Sequence, residues 1–287
     1  MEVPFNFCGL DTQYSNYDSS KIVILPVPFE RTTSWMKGTS NGPDAMIDAS
    51  RNMELYDIAS DSEVYKYGIF TGEAIQAESE LTLVEILKKE VKRLHSDGKF
   101  VVTLGGEHTV TIGPVSAFSE IYDDLSVVIF DAHSDMRDDY DDNKYSHACV
   151  SKRICDIGIN PIQIGIRSMD ISEKKNICSS NVFFAKDIVN TNDSWIKGML
   201  EKLNKNVYVS IDLDAFDPSV VPSVGTPEPG GLGWYETIKI LKAIVSVRNI
   251  ISFDVVELCP NELKYSDFAA AKLIYTLLSM IFKSNGR

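Results

Sequence analysis

Six short stretches of this chain are apolar on almost every successive residue: 22–26 (IVILP), 100–104 (FVVTL), 126–130 (SVVIF), 161–166 (PIQIGI), 207–211 (VYVSI) and 250–256 (IISFDVV). A strand with one face in water alternates apolar and polar residues, whereas a strand covered on both faces does not. The pattern therefore predicts strands buried in the middle of a layered domain. Between the runs lie helical patterns. Leu83, Leu87, Val91 and Leu94 share one helix face and Gly98 follows as a stop signal, while 195–203, 234–245 and 267–282 also read as helices. Strands and helices in alternation predict an α/β fold, a three-layer α/β/α arrangement around a mainly parallel central sheet.

No internal repeat, low-complexity segment or Pro/Gly/Ser linker divides the 287 residues, so residues 1–287 are expected to form a single domain. A net charge of -13 disfavours nucleic acid or an anionic membrane as the main partner and favours a cationic small molecule. The apolar stretch near 268–282 is broken by Lys272 and too short to span a bilayer, and MEVPFNFCGL lacks the layout of a secretory signal. Five cysteines, odd in number and without a CxxC pair, point to reduced thiols in a cytoplasmic protein.

The polar residues collect at one end of this scheme. Run 100–104 leads to Glu107-His108, run 126–130 to Asp131-Ala132-His133-Ser134-Asp135, run 207–211 to Asp212-Leu213-Asp214, and run 250–256 to Glu257. The carboxyl ends of strands line the ligand crevice of an open α/β sheet, so these side chains are expected to converge. Asp131, His133 and Asp135 are spaced i, i+2, i+4, and Asp212 and Asp214 repeat the i, i+2 step, which in extended backbone puts each set on one face. Carboxylates with imidazoles and no thiolate favour Mn²⁺ over a structural zinc. Four buried aspartates carry twice the charge one divalent ion neutralises, so two ions are expected, roughly 3.5–4 Å apart and sharing an acidified water. Of the four histidines, His108, His133 and His147 lie in or beside these motifs.

The strings GGEHT (105–109), DAHSD (131–135), SIDLDAFDPSVVP (210–222) and TPEPGG (226–231) resemble the ureohydrolase family, the arginases and agmatinases, in wording and order. The likeness runs from VPFERTTSWMKGTSNGP near the start to DVVELCP near the end, and its wording is most like an agmatinase. It implies an arginase/deacetylase-like fold and two Mn²⁺ per subunit. The first ion is implied to be held by His108, Asp131, Asp135 and Asp212, the second by His133, Asp131, Asp212 and Asp214. His147 in YSHACVSKRI corresponds to the family's active-site histidine and Glu257 in DVVELCP to the carboxylate that grips the guanidinium. With Asp135 these form the expected catalytic group. The family also implies a homo-oligomer, a trimer or hexamer.

A guanidinium is a poor electrophile, and a metal-bridging hydroxide is a nucleophile strong enough to attack it. His147, with an ordinary pKa of about 6.5, suits protonation of the departing amine. Agmatine, giving urea and putrescine and so serving polyamine biosynthesis, fits the acidic stretch 138–142 (DDYDD), which repels a substrate carboxylate and attracts an ammonium. Aminopropyl-agmatine, guanidinobutyrate, arginine and formiminoglutamate are the alternatives. A single-zinc deacetylase-type site would leave His108, Asp135 and Asp214 unpaired. Cys149 is expected to pack rather than to act as a nucleophile, and Asp217-Pro218 to form a turn.

Overall fold

The computed structural model describes residues 3–189 and 192–284, and in it all six apolar runs are strands. They correspond to β1 (Ile22–Val27), β3 (Phe100–Gly105), β4 (Leu125–Phe130), β5 (Ile162–Ile166), β7 (Asn206–Asp212) and β8 (Asn249–Val256). Two further strands, β2 (Ile69–Thr71) and β6 (Val182–Phe184), occupy the sheet edges. At three residues each they are too short to show any periodicity in the sequence. Among the described residues the sheet has the order β2-β1-β3-β8-β7-β4-β5-β6, and every neighbouring pair is parallel.

Alternate residues of one strand feed two separate cores, which explains why the runs are apolar throughout. Ile22 and Ile24 of β1 join one cluster, and Val23, Leu25 and Val27 join the other. The first core is closed by helices Gly42–Ser50, Ser194–Glu201, Trp234–Val247 and Tyr265–Ser284, through residues such as Met46, Met199, Ile244 and Leu277. The second is closed by Glu80–Ser96, Ile112–Ser119 and Val150–Asp156, through Leu87, Phe118 and Ile154. Each such side chain stabilises the fold by roughly 1.5–3 kcal/mol on burial. The helix Glu80–Ser96 begins where the Ser79 hydroxyl accepts from the Thr82 N–H at 3.2 Å, and ends before Gly98, whose φ is 74°. No helix among the described residues is long and apolar enough to cross a membrane.

This topology positions the site. After β3 the chain crosses to β4, and the gap between them is filled later by β7 and β8, so β3, β8, β7 and β4 are neighbours. These are the four strands whose carboxyl ends carry the polar motifs. The segment after β3 is drawn against β1 and β8 by backbone bonds. Gly106 N–H donates to Val27 O at 2.9 Å, Glu107 N–H to Phe29 O at 2.9 Å, and Glu257 N–H to Gly106 O at 2.8 Å. Only glycine fits at 106, because a Cβ there would lie 2.2 Å from the Phe29 carbonyl oxygen. Gly106→Ala is expected to lower stability by about 1–3 kcal/mol or more. A urea titration that leaves the unfolding midpoint unchanged would contradict this account of how His108 and Glu257 are brought together.

Candidate metal centre and cavity

The two Asp-x-acid/His motifs converge by a local geometry that differs from the expected one. Asp131 follows β4 and its Oδ1 accepts the His133 backbone N–H at 2.6 Å, while Asp212 closes β7 and its Oδ1 accepts the Asp214 N–H at 2.8 Å. Each is an Asx-turn, a side chain hydrogen-bonded to the backbone two residues on. Asp214 accordingly sits in a 3₁₀ turn, Leu213–Ala215, and Asp135 has φ 50°, so neither motif continues as extended backbone. Strand spacing therefore does not bring Asp131, His133 and Asp135 onto one face. The turns do the work instead: one oxygen of each of Asp131 and Asp212 holds the turn while the other is left for the site.

The side chains meet at two histidines. His108 Nδ1 lies 3.0 Å from Asp135 Oδ2, 3.2 Å from Asp131 Oδ2 and 3.4 Å from Asp212 Oδ2. His133 Nδ1 lies 2.9 Å from Asp214 Oδ2 and 3.7 Å from Asp131 Oδ1. Two groups, His108/Asp131/Asp212 and Asp131/His133/Asp214, offer ligand atoms that all lie within 4.8 Å of one another, and Asp131 belongs to both. His108 Nδ1 and Asp131 Oδ2 are fully buried yet have no geometrically sound hydrogen-bond partner. Buried polar atoms are otherwise almost always paired, so these two fit a cation between them.

The far side of the His108 ring is also held. His108 Nε2 lies 3.1 Å from the Ser210 hydroxyl, which donates to Asp254 Oδ1 at 2.7 Å, while Tyr208 donates to Asp254 Oδ2 at 2.5 Å. Because the Ser210 hydroxyl donates to Asp254, its oxygen accepts from Nε2–H, and Nδ1 is the nitrogen turned to the carboxylates. Burial opposes the charged ring, but Asp131, Asp135 and Asp212 raise its pKa well above the ordinary value, and an ion bound there would displace the Nδ1 proton. His133 Nε2 faces Glu228 Oε1 at 3.8 Å. Arg167 ties the Asp214 turn to the glycine-rich loop, donating to the carbonyls of Asp214 at 2.7 Å, Phe216 at 3.2 Å and Glu228 at 2.8 Å. The expected turn at Asp217-Pro218 is present, closed by the Val220 N–H on Asp217 O at 2.7 Å and the Ser219 N–H on Asp217 Oδ1 at 3.0 Å, while Asp217 Oδ2 accepts from the N–H of Gly230, whose φ is 80°, at 2.8 Å.

The cluster is short of positive charge. Burial first, then repulsion from Asp135 and Asp214, pushes the Asp131 carboxyl up to about 7, and burial with the charges of Asp214 and Asp131 pushes Asp212 well above its ordinary range. Burial opposes the charged form of His133, but Asp214, Asp131 and Asp135 together raise it to about 10. Asp214 moves the other way, to about 2, because His133, the Ala132 N–H and Arg167 outweigh its burial. Glu257, with φ 65°, gives Oε1 to the His108 N–H at 2.7 Å, and burial with Glu107 nearby raises it to about 8.

A cavity of about 280 Å³ opens over these groups, and His147, Thr226, Asp170, Arg137 and Tyr140 line it together with the cluster and Glu257. The stretch 138–142 presents Tyr140 to the cavity rather than its carboxylates, joined there by the preceding Arg137, whose guanidinium lies 5.0 Å from the Tyr140 ring centre. Asp138 turns to Lys175 at 2.9 Å. Beyond the cluster and Glu257, two carboxylates line the same cavity, neither singled out in the sequence: Glu173, buried and accepting the Met136 and Asp170 N–H groups, and the half-buried Asp170, which follows β5. Arg167, just beyond the run 161–166, and Ser210 and Asp254, single polar residues inside the runs 207–211 and 250–256, were missed because one polar residue in or beside an apolar run carries no spacing signal; Thr32 and Glu228 lie in the quoted strings, but their partners could not be read there. Cys149 is buried and its thiol is pushed up to about 12 by burial, as packing requires, and all five cysteines are free.

A model of the arginase family matches residues 20–279. The chain is 35% identical over 279 residues to the N(1)-aminopropylagmatine ureohydrolase of Synechocystis sp., covering 92% of this chain and 90% of that protein. It is 32% identical over 262 residues to the agmatinase of Pyrococcus horikoshii, covering 90% and 91%. Among solved structures, agmatine ureohydrolase of Thermoplasma volcanium superposes with a TM-score of 0.89 at 30% identity, over 100% of this chain and 97% of that one. Fold and relatives together define a hydrolase of guanidino C–N bonds. The chain belongs to the arginase family.

The raised groups give a pH signature. The folded chain holds the Asp131 proton that the unfolded chain releases, so that contribution to stability is lost as pH rises through about 7; the His133 contribution is lost as pH rises through about 10. A divalent ion bound at these residues would displace those protons. The rise in Tm on adding Mn²⁺ is expected to grow from about pH 6 to about pH 9. A rise that is flat or shrinks over that window in a thermal melt would remove these residues as the ion site.

Proposed function

We propose that this protein hydrolyses agmatine to urea and putrescine with two Mn²⁺ per subunit. The first ion is assigned to His108, Asp131, Asp135 and Asp212, the second to His133, Asp131, Asp212 and Asp214. The observation that carries this is the pair of buried, unpartnered ligand atoms, His108 Nδ1 and Asp131 Oδ2, at the centre of an aspartate cluster. The donor set of carboxylates and imidazoles without thiolate suits Mn²⁺. Held by these residues, such ions would supply Lewis-acid chemistry, lowering the pKa of water toward the nucleophile a resonance-stabilised guanidinium demands.

The protein's own groups perform the rest. Glu257, held through Oε1 by the His108 N–H, takes a charge-assisted hydrogen bond from the guanidinium and fixes its plane. His147 has its pKa lowered, chiefly by burial against the opposing pull of Asp135 and Glu107, which favours the neutral imidazole that can take a proton and give it to the departing nitrogen. The alkylguanidinium and one water become urea and an alkylammonium, with charge conserved. Asp170, the more exposed of the two further carboxylates lining the cavity, is assigned to the distal ammonium, and its hydrogen bonds from Ser172 hold it below its ordinary carboxylate range. A substrate longer by an aminopropyl group is the second reading, favoured by relatives named for that substrate.

Urea measured after incubation with Mn²⁺ and, separately, agmatine, aminopropyl-agmatine and arginine tests the reading. Urea is expected from the amine-terminated guanidines and not from arginine, and Asp170→Asn is expected to raise KM with kcat little changed. Urea from arginine alone would overturn the substrate assignment.

A further inference from the structure

The Thr32 hydroxyl has three neighbours that together settle where its proton lies. It is 2.7 Å from Glu107 Oε1, it accepts the His147 backbone N–H at 2.9 Å, and it is 3.2 Å from His147 Nδ1. Glu107 is fully buried, and its Oε2 accepts the backbone N–H groups of Arg31 at 2.6 Å and Thr32 at 2.7 Å. A carboxylate used wholly as an acceptor has no hydrogen to offer, so the Thr32 hydroxyl donates its single hydrogen to Glu107. Both Thr32 lone pairs then face His147, one toward the backbone N–H and one toward Nδ1. Nδ1 must carry a hydrogen, since two lone pairs at 3.2 Å would repel. The Ser146 hydroxyl, 3.3 Å from Nδ1, offers the reverse arrangement only by creating that repulsion.

We propose that Thr32 and Glu107 are positioning residues that hold His147 as the Nδ1–H tautomer and so reserve Nε2 as its basic nitrogen. This rests on His147 serving the departing amine as argued above. His147 lines the cavity, and with Nδ1 tied back to Thr32 the remaining nitrogen is the one available to substrate. The arrangement gives Glu107, beside His108, a purpose beyond filling space: it also accepts from Thr109 at 2.8 Å, so one buried carboxylate anchors both the strand-end segment that carries His108 and the loop that orients His147. Nothing in the Thr32-Thr33-Ser34 string alone reveals this, because the partners lie 75 and 115 positions away.

The test is nitrogen-15 NMR of histidine-labelled protein loaded with diamagnetic Zn²⁺, which is tractable with four histidines in the chain, combined with steady-state kinetics of the Mn²⁺ enzyme. Wild-type His147 is expected to be protonated at Nδ1. Thr32→Val is expected to lose that preference and to lower kcat roughly tenfold or more with KM and metal content unchanged, and Thr32→Ser to restore both. Nε2 protonation in the wild type would overturn the proposal, as would a Thr32→Val enzyme that keeps the Nδ1–H signal or its full kcat. The wild-type spectrum decides the tautomer even if Thr32→Val fails to fold. An Nδ1–H signal in a protein that releases urea from no guanidine would count against the functional reading and not against the tautomer.

Discussion

Asp131, Asp135, Asp212 and Asp214 are gathered almost completely out of water at the carboxyl edge of the sheet, and their mutual repulsion is the constraint on which the rest of the site depends. Like charges in a low-dielectric interior are tolerated only when cations or protons compensate them. Around that constraint the chain departs from regular backbone. Asp131 and Asp212 each use one oxygen to hold a turn, and Asp135 and Glu257 adopt left-handed conformations that cost of order 1–3 kcal/mol each when the residue is not glycine. Such costs persist where the surrounding structure demands a particular direction for a side chain. Here the demand is to turn the Asp135 carboxylate toward the His108 ring and the Glu257 carboxylate toward the His108 N–H.

A second ring of groups makes the aim rigid. Asp254 and Ser210 fix the tautomer of His108, while Arg167 joins the Asp214 turn to the loop that carries Glu228 and Thr226. Glu107 and Thr32 do for His147 what Asp254 and Ser210 do for His108. In both cases a buried carboxylate accepts a hydrogen bond from a hydroxyl, and the hydroxyl oxygen then accepts from an imidazole N–H. Two histidines on different elements thus present opposite nitrogens to one cavity, Nδ1 at the cluster and Nε2 above it.

Much of this was legible in the sequence because burial on both faces leaves a continuous apolar run. That signal located β1, β3, β4, β5, β7 and β8, and the polar residues just beyond them located the cluster. It failed for β2 and β6, whose three residues carry no pattern, and for helices Gly42–Ser50, Ile112–Ser119 and Val150–Asp156, which are short and sit among loops. Strand periodicity gave the wrong reason for the convergence of Asp131, His133 and Asp135, since Asx-turns and a positive φ are set by backbone competition that residue spacing does not encode. The acidic stretch 138–142 was legible as charge but not as direction. Its Asp138 is spent on Lys175, and the rim carboxylate Asp170 comes from another loop.

The central claim is that this aspartate and histidine cluster holds two divalent ions. Crystals soaked in Mn²⁺ and measured at the manganese absorption edge would test it most directly. Two anomalous peaks are expected, one beside His108 Nδ1 and one beside His133 Nδ1, with Asp131 between them. A single peak, or peaks away from these residues, would contradict the account.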